Sequence, residues 1–125
     1  MGNLVNARQE AGRRGEDAAA DYLKAKGYQI IDRNVRFKLG ELDLVALEGE
    51  TLVFVEVKSG RRSGIFSPAD HLDGRKRRKL LQLGRAYLAR QREERRARFD
   101  LVTVVDDGDR LIVDHLTDVL QDSGP

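Results

Sequence analysis

The 125-residue chain has no cysteine and no tryptophan, one methionine and two prolines. Without thiols it can form neither disulfides nor thiolate metal sites, so any metal must be held by oxygen or nitrogen. Three tyrosines and four phenylalanines, scattered along the chain, are too few for a platform of stacked bases. No apolar run approaches the ~18 residues of a membrane span. The first residues, Met1-Gly2-Asn3-Leu4-Val5-Asn6, lack the apolar centre of a signal peptide and carry Asn6 where a myristoylation signal has Ser or Thr. The expected setting is therefore the cytoplasm, without membrane contact.

What is present is charge and a core. Hydrophobic residues make up 40% and charged residues 35% of the chain, the balance of a globular protein, and the length suits one domain over 1–125 that buries roughly two thirds of its unfolded surface. Loose ends are expected at 1–6 and 121–125. The net charge of +2 hides an asymmetry. Residues 1–98 hold 22 Lys/Arg against 14 acids, whereas 99–125 hold one Arg against seven acids. The basic part is suited to a polyanion. Its densest stretch, residues 75–98, has 11 Lys/Arg and two acids and opens with Arg75-Lys76-Arg77-Arg78-Lys79. Such a run more often forms a solvated helix face; at this density it also suits phosphate contact, which positions a nucleic acid without reading its sequence.

Two alternating segments, Glu41 to Leu47 and Thr51 to Lys58, flank Glu48-Gly49-Glu50 and predict a tight β-hairpin. Gly49 suits the first central position of a mirror-type turn, which pairs Glu48 with Thr51. That register stacks Leu42, Leu44 and Ala46 against Val57, Val55 and Val53, and it sets Asp43 opposite Glu56. Carboxylates facing each other across a strand pair lie about 4.5–5.5 Å apart at Cβ and repel. A hard divalent cation such as Mg²⁺ compensates such a pair, and Lys58 emerges on the same face as Glu56, two residues on. The plainer alternative is an exposed hairpin face whose acids pair with lysines, although Val45, Leu47, Leu52 and Phe54 on that face are apolar enough to need a covering helix.

Helical spacing from about Ala7 to Lys26, with Gly27 as its cap, predicts a first helix on which Glu16 shares a face with Ala19, Ala20 and Leu23. The plain explanation of Glu16 is a helix residue that pairs with Arg13 or stays solvated between alanines. Tyr28 to Asp32 is a short strand candidate, and Arg33 to Gly40 a basic connection. Ser59 to Pro68 predicts a loop, Asp70 or Asp73 to about Arg90 a second helix, Phe99 to Val105 and Leu111 to His115 a closing pair of strands around Asp106 to Asp109, and the last ten residues a weak helical tail. The order α-β-β-β-α-β-β implies an α/β fold with one mixed sheet covered by helices. His71 and His115 are isolated and read as surface or core residues.

Gly15-Glu16-Asp17-x-Ala19, Gly27-Tyr28-x-Ile30-Ile31-x-Arg33-Asn34-x-Arg36, Gly40-Glu41-Leu42-Asp43-Leu44-Val45, Leu52-Val53-Phe54-Val55-Glu56-Val57-Lys58 and Arg98-Phe99-Asp100 together resemble the YraN family of predicted endonucleases. That family belongs to the PD-(D/E)XK, restriction-endonuclease-like superfamily, with archaeal Holliday-junction resolvases as functional analogues. The resemblance runs from about Gly12 to His115 and implies a restriction-endonuclease-like mixed central sheet flanked by helices. It implies a Mg²⁺ or Mn²⁺ cofactor held by Asp43, Glu56 and the Val57 carbonyl, Lys58 as the catalytic lysine, and Glu16 as a further acid at the site. It also implies DNA, branched or junction DNA in particular, as substrate and a two-fold dimer as the assembly. Two departures stand out: no proline precedes Asp43, and Ser59-Gly60-Arg61-Arg62 interrupts the family's basic run after the lysine.

The resulting expectation is a metal-dependent endonuclease that grips DNA phosphates through Arg33, Arg36, Lys38, Arg61, Arg62, Arg75, Lys76, Arg77, Arg78 and Lys79. One alternative is a nucleic-acid-binding module of the same fold that recruits a partner without turnover. Another is a protein-interaction domain that self-associates through the acidic tail from Asp100 onward and the basic helix.

Overall fold

A computed structural model of the chain describes residues 4–61 and 72–120, with side chains from residue 12 onward. The elements are α1 (Leu4–Ala25), β1 (Gln29–Arg36), β2 (Glu41–Glu48), β3 (Thr51–Arg61), α2 (Gly74–Leu88), β4 (Ala97–Asp106) and β5 (Leu111–Leu116). The strands form one sheet in chain order. β3 and β4 are parallel, joined through α2, and the other neighbours are antiparallel. This is the expected mixed sheet in the order α-β-β-β-α-β-β.

Side-chain alternation on the central strands divides the core between the two faces. On one, Ala19, Ala20 and Leu23 of α1 pack with Leu44, Ala46, Val53, Val55, Val102 and Val104. On the other, Leu83 and Tyr87 of α2 cover Val45, Leu52 and Phe54, as the apolar face of the hairpin requires. Gly84 lets α2 lie close to the sheet, since a Cβ there would stand 2.5 Å from Phe99 Cζ.

The turns follow their chemistry. Gly27 (φ 97°) ends α1, with its N–H bonded to Lys24 and that of Tyr28 reaching back to Leu23. Gly49 (φ 59°) turns the β2–β3 hairpin in the expected register, Glu48 with Thr51 through Leu44 with Val55. The α2 N-cap is Asp73, whose carboxylate accepts the Lys76 N–H at 2.9 Å.

Four expectations need correction. Residues 33–36 belong to β1 rather than to a connection, and Phe37 and Gly40 close a second hairpin around Lys38 and Leu39; β1 is an edge strand, so its charged side chains stay solvated. β3 continues through Ser59 and Gly60 to Arg61, because β4 lies beside them in register with Val104, Val105 and Asp106. The expected loop beyond that point, from Arg62, and His71 fall outside the described residues. Leu42 leaves the predicted apolar face and packs under α2 with Val45 and Phe54. Residues 117–120 form no helix; Asp118 takes φ 56° and its N–H donates to Asp100.

Candidate metal centre

The site forms where β2 parts from β3. Their paired register ends at Leu44 with Val55, one position short of Asp43 with Glu56. At that point the Asp43 carboxylate replaces the backbone and accepts the Val57 N–H at 2.9 Å. In an extended strand the N–H and C=O of one residue point the same way, so the Val57 carbonyl also faces this gap. The two acids expected side by side are thereby separated in role: Asp43 turns toward α1, and Glu56 toward α2.

On the α1 side, carboxylate oxygens of Glu16, Glu41 and Asp43 lie within 4.8 Å of one another. Gly15 makes this approach feasible, because α1 passes so near β3 that a Cβ at Gly15 would overlap Ser59 Oγ. Glu41 and Asp43 reach the same side as alternate residues of one strand. Asn34, with φ 52°, ties the cluster: oriented to satisfy both ends of its amide, its nitrogen donates to both Glu16 oxygens at 3.1 Å and to Glu41 Oε1 at 2.8 Å. Asparagine is among the few side chains that tolerate this backbone conformation.

Burial and crowding raise the proton affinity of two of these acids. Burial pushes the Asp43 carboxyl up to about 7, the charge of Glu56 adds to it, and the Val57 bond only partly opposes it. Glu16 is also raised, by burial first and then by Glu41, against the Asn34 bond. A concentrated set of hard oxygen donors, met among the described residues by a single ion pair from the exposed Arg36 to Glu41, fits Mg²⁺ or Mn²⁺. Glu16, Glu41, Asp43 and the Val57 carbonyl are the groups that would hold it, with Glu56 at the edge.

Glu56 has a partner of its own. Its Oε1 lies 2.8 Å from Lys76 Nζ, with 13% of the Glu56 and 41% of the Lys76 side chain exposed. The lysine is held by Glu56, which raises its proton affinity despite its burial. Lys58 is half-buried and, among the described residues, forms no ion pair or hydrogen bond. It lines a cleft of about 430 Å³ together with Glu16, Asp43, Val57, Arg61 and the Arg14–Asp106 ion pair, so acids and cations share one cavity.

Other expected phosphate contacts are spread more widely. Arg33 pairs with Asp17, and Arg36 with Glu41 at 3.4 Å. Lys38 is exposed in the β1–β2 turn, and Arg61 ends β3 at the cleft. Arg62 lies outside the described residues. Arg75, Arg78 and Lys79 are exposed on α2, and Arg77 is half-buried. Glu16 does not pair with Arg13 among the described residues.

Sequence reasoning assigned no role to Glu41 or Asn34, although their signals were present: Glu41 stands two residues from Asp43 on one strand, and Asn34 is a residue type suited to a left-handed backbone position. It also missed a buried network at the far end of the sheet. Asp100, 1% exposed, accepts from Arg98 Nε at 3.0 Å and from the Asp118 N–H at 2.9 Å, with His115 Nε2 at 2.7 Å. An ammonium can only donate, so Lys26 Nζ, 2.9 Å from Nδ1, leaves Nε2 as the protonated nitrogen of His115. His115 is a core histidine, one of the two roles expected of it.

Comparison with known proteins adds sequence similarity along most of the chain. The profile of a family described as "Uncharacterised protein family UPF0102" matches residues 15–104. A relative from Symbiobacterium thermophilum is 50% identical over 97 residues, covering 77% of this chain and 82% of its own. One from Chlorobium chlorochromatii is 44% identical over 102 residues, covering 82% and 79%. One from Nitratidesulfovibrio vulgaris is 43% identical over 116 residues, covering 92% and 87%. All three carry only the family designation.

Proposed function

The chain belongs to the uncharacterised protein family UPF0102, and from its acidic cleft we propose that it is a metal-dependent endonuclease of the PD-(D/E)XK type acting on DNA. The observation that carries this reading is the cluster itself: carboxylate oxygens of Glu16, Glu41 and Asp43 lie within 4.8 Å of one another, and Glu16 and Asp43 share a cleft with Lys58 and Arg61. A structural ion pair needs no such crowding. A site that recruits a cation and then a phosphate does.

Glu16, Glu41, Asp43 and the Val57 carbonyl would bind Mg²⁺ or Mn²⁺, with Glu56 drawn in from its pair with Lys76. Bound there, the ion supplies Lewis acidity toward a phosphate oxygen and lowers the pKa of a bound water. The Val57 N–H orients the Asp43 carboxylate, and Asn34 holds Glu16 and Glu41 in place. Lys58, beside Asp43 in the cleft, supplies its ammonium to the charge building on the phosphoryl group. Arg61 and the exposed cations of α2 hold the flanking phosphates. Such contacts read shape and charge rather than sequence, in keeping with branched DNA as substrate.

The test is cleavage of linear, nicked, flapped and four-way DNA with and without Mn²⁺. Lys58→Ala is expected to abolish cleavage with folding intact, and unchanged cleavage by that variant contradicts the assignment. The Glu56–Lys76 ion pair favours a second reading, a non-catalytic nucleic-acid-binding module in which Glu56 is a structural acid. That reading predicts salt-dependent DNA binding and no turnover in any divalent metal.

A further inference from the structure

We propose that Lys76 is an exchangeable counter-ion, which neutralises Glu56 in the metal-free protein and is released toward a DNA phosphate when a divalent cation takes over the acids. The inference rests on the nuclease reading and deepens it by coupling metal to substrate.

Geometry makes the two partners unequal. Glu56 is fixed on β3, with 13% of its side chain exposed, while Lys76 retains 41% and reaches Glu56 from another element. The lysine can therefore swing outward on its flexible stem, and Glu56 cannot follow. Its backbone stays where it is, because the Lys76 N–H is tied to the Asp73 N-cap at 2.9 Å.

The first turn of α2 sets three cations against one cap carboxylate, that of Asp73. Helix N-termini favour acids, since the first turn carries free N–H groups and the positive end of the dipole. Here the first turn has no acid, and Arg75, Lys76 and Arg77 follow Gly74 directly. Glu56 supplies the only carboxylate paired with a side chain of this turn among the described residues. When Glu56 turns to a metal, the Asp73 cap alone is left against three cations, and a phosphate lying over the same acids restores the balance.

Lys79 is placed for the same surface. Its stem lies over Gly40, the residue before Glu41, where a Cβ would stand 2.6 Å from its Cε. One helical turn thus brings the ammonium of Lys76 to Glu56 and the stem of Lys79 to the strand that bears Glu41 and Asp43. Exchange makes metal and DNA each strengthen the binding of the other, as linkage requires.

The experiment measures Mn²⁺ affinity of the full chain by the paramagnetic resonance of free Mn²⁺, for wild type, Lys76→Met and Lys76→Arg. Removing the competitor should tighten Mn²⁺ binding about fivefold in Lys76→Met, and Lys76→Arg should stay near wild type. In parallel, the dependence of DNA affinity on salt is read by fluorescence anisotropy with Ca²⁺ and with chelator. Lys76→Met should lower the slope by about one with Ca²⁺ and leave it unchanged in chelator. Equal Mn²⁺ affinity in wild type and Lys76→Met, or an equal change in slope under both conditions, overturns the exchange while the nuclease reading stands. Mn²⁺ binding by none of the three proteins overturns both.

Discussion

The Asp43 carboxylate accepts the Val57 N–H at 2.9 Å, one position beyond the last backbone pair of β2 and β3, Leu44 with Val55. A side chain thus does the work of a strand, and both Asp43 and Val57 line the cleft beside α1. The cost is a carboxylate held among other acids. Asp43→Asn keeps an acceptor for Val57 and removes the charge, so the variant should be more stable than wild type at pH 8 while losing its metal. Each tenfold change in proton affinity corresponds to about 1.4 kcal/mol, and a gain of roughly that size is expected from urea midpoints at constant slope.

Stability should also fall with pH across the acid range. The Asp43 carboxyl rises from 3.8 to about 7 on folding, so between those values the folded protein holds a proton that the unfolded chain has released. Its contribution is present below pH 4 and lost as pH rises through 7. Urea unfolding at pH 5 and pH 8 should show this loss in wild type and a weaker one in Asp43→Asn.

Metal should reverse that balance by expelling the proton. Mn²⁺ binding near pH 6.5 is expected to release protons, so titration heats in two buffers of different ionisation enthalpy should differ. At pH 8.5 the difference should vanish.

Two glycines separate packing from positioning. At Gly84 an added methyl meets the Phe99 and Phe54 rings, which are locked between α2 and the sheet, so Gly84→Ala should destabilise by about 1–3 kcal/mol despite better helix propensity. At Gly15 the obstacle is chiefly Ser59 Oγ, a hydroxyl that can rotate away. Ser59 Cβ, 3.0 Å away, cannot rotate, so α1 gives by a few tenths of an ångström: Gly15→Ala should cost little stability yet weaken Mn²⁺ binding, because Glu16 moves with the helix. Chemical denaturation and metal titration of both variants check the contrast.

The network far from the cleft should behave as structure alone. Asp100→Ala leaves Arg98 without its buried carboxylate and the Asp118 N–H without an acceptor, a loss of about 3–5 kcal/mol by analogy with other broken buried pairs. Metal affinity of the folded fraction should not change.

How far the sequence could be read follows from where local rules applied. Alternation and Gly49 gave the β2–β3 register, and the spacing of Ala19, Ala20 and Leu23 gave the buried face of α1, because hydrophobic periodicity and turn chemistry are local. Leu42 escaped because β2 parts from β3, a tertiary event that alternation alone does not record. β3 ran past Lys58 because β4, with partners 45 residues on, lies in register beside a stretch whose Gly and Ser content signals a loop. The role of Glu41 and the Glu56–Lys76 pair depend on helices approaching the sheet from opposite faces, and no spacing within one segment encodes that.

The central claim is that the acids gathered around Asp43 take up a divalent cation. Calorimetric titration of Mn²⁺ into wild type and Asp43→Asn tests it most directly. Saturable binding by wild type that disappears in Asp43→Asn is the predicted result. Absence of binding by wild type, or equal binding by both proteins, would contradict the account.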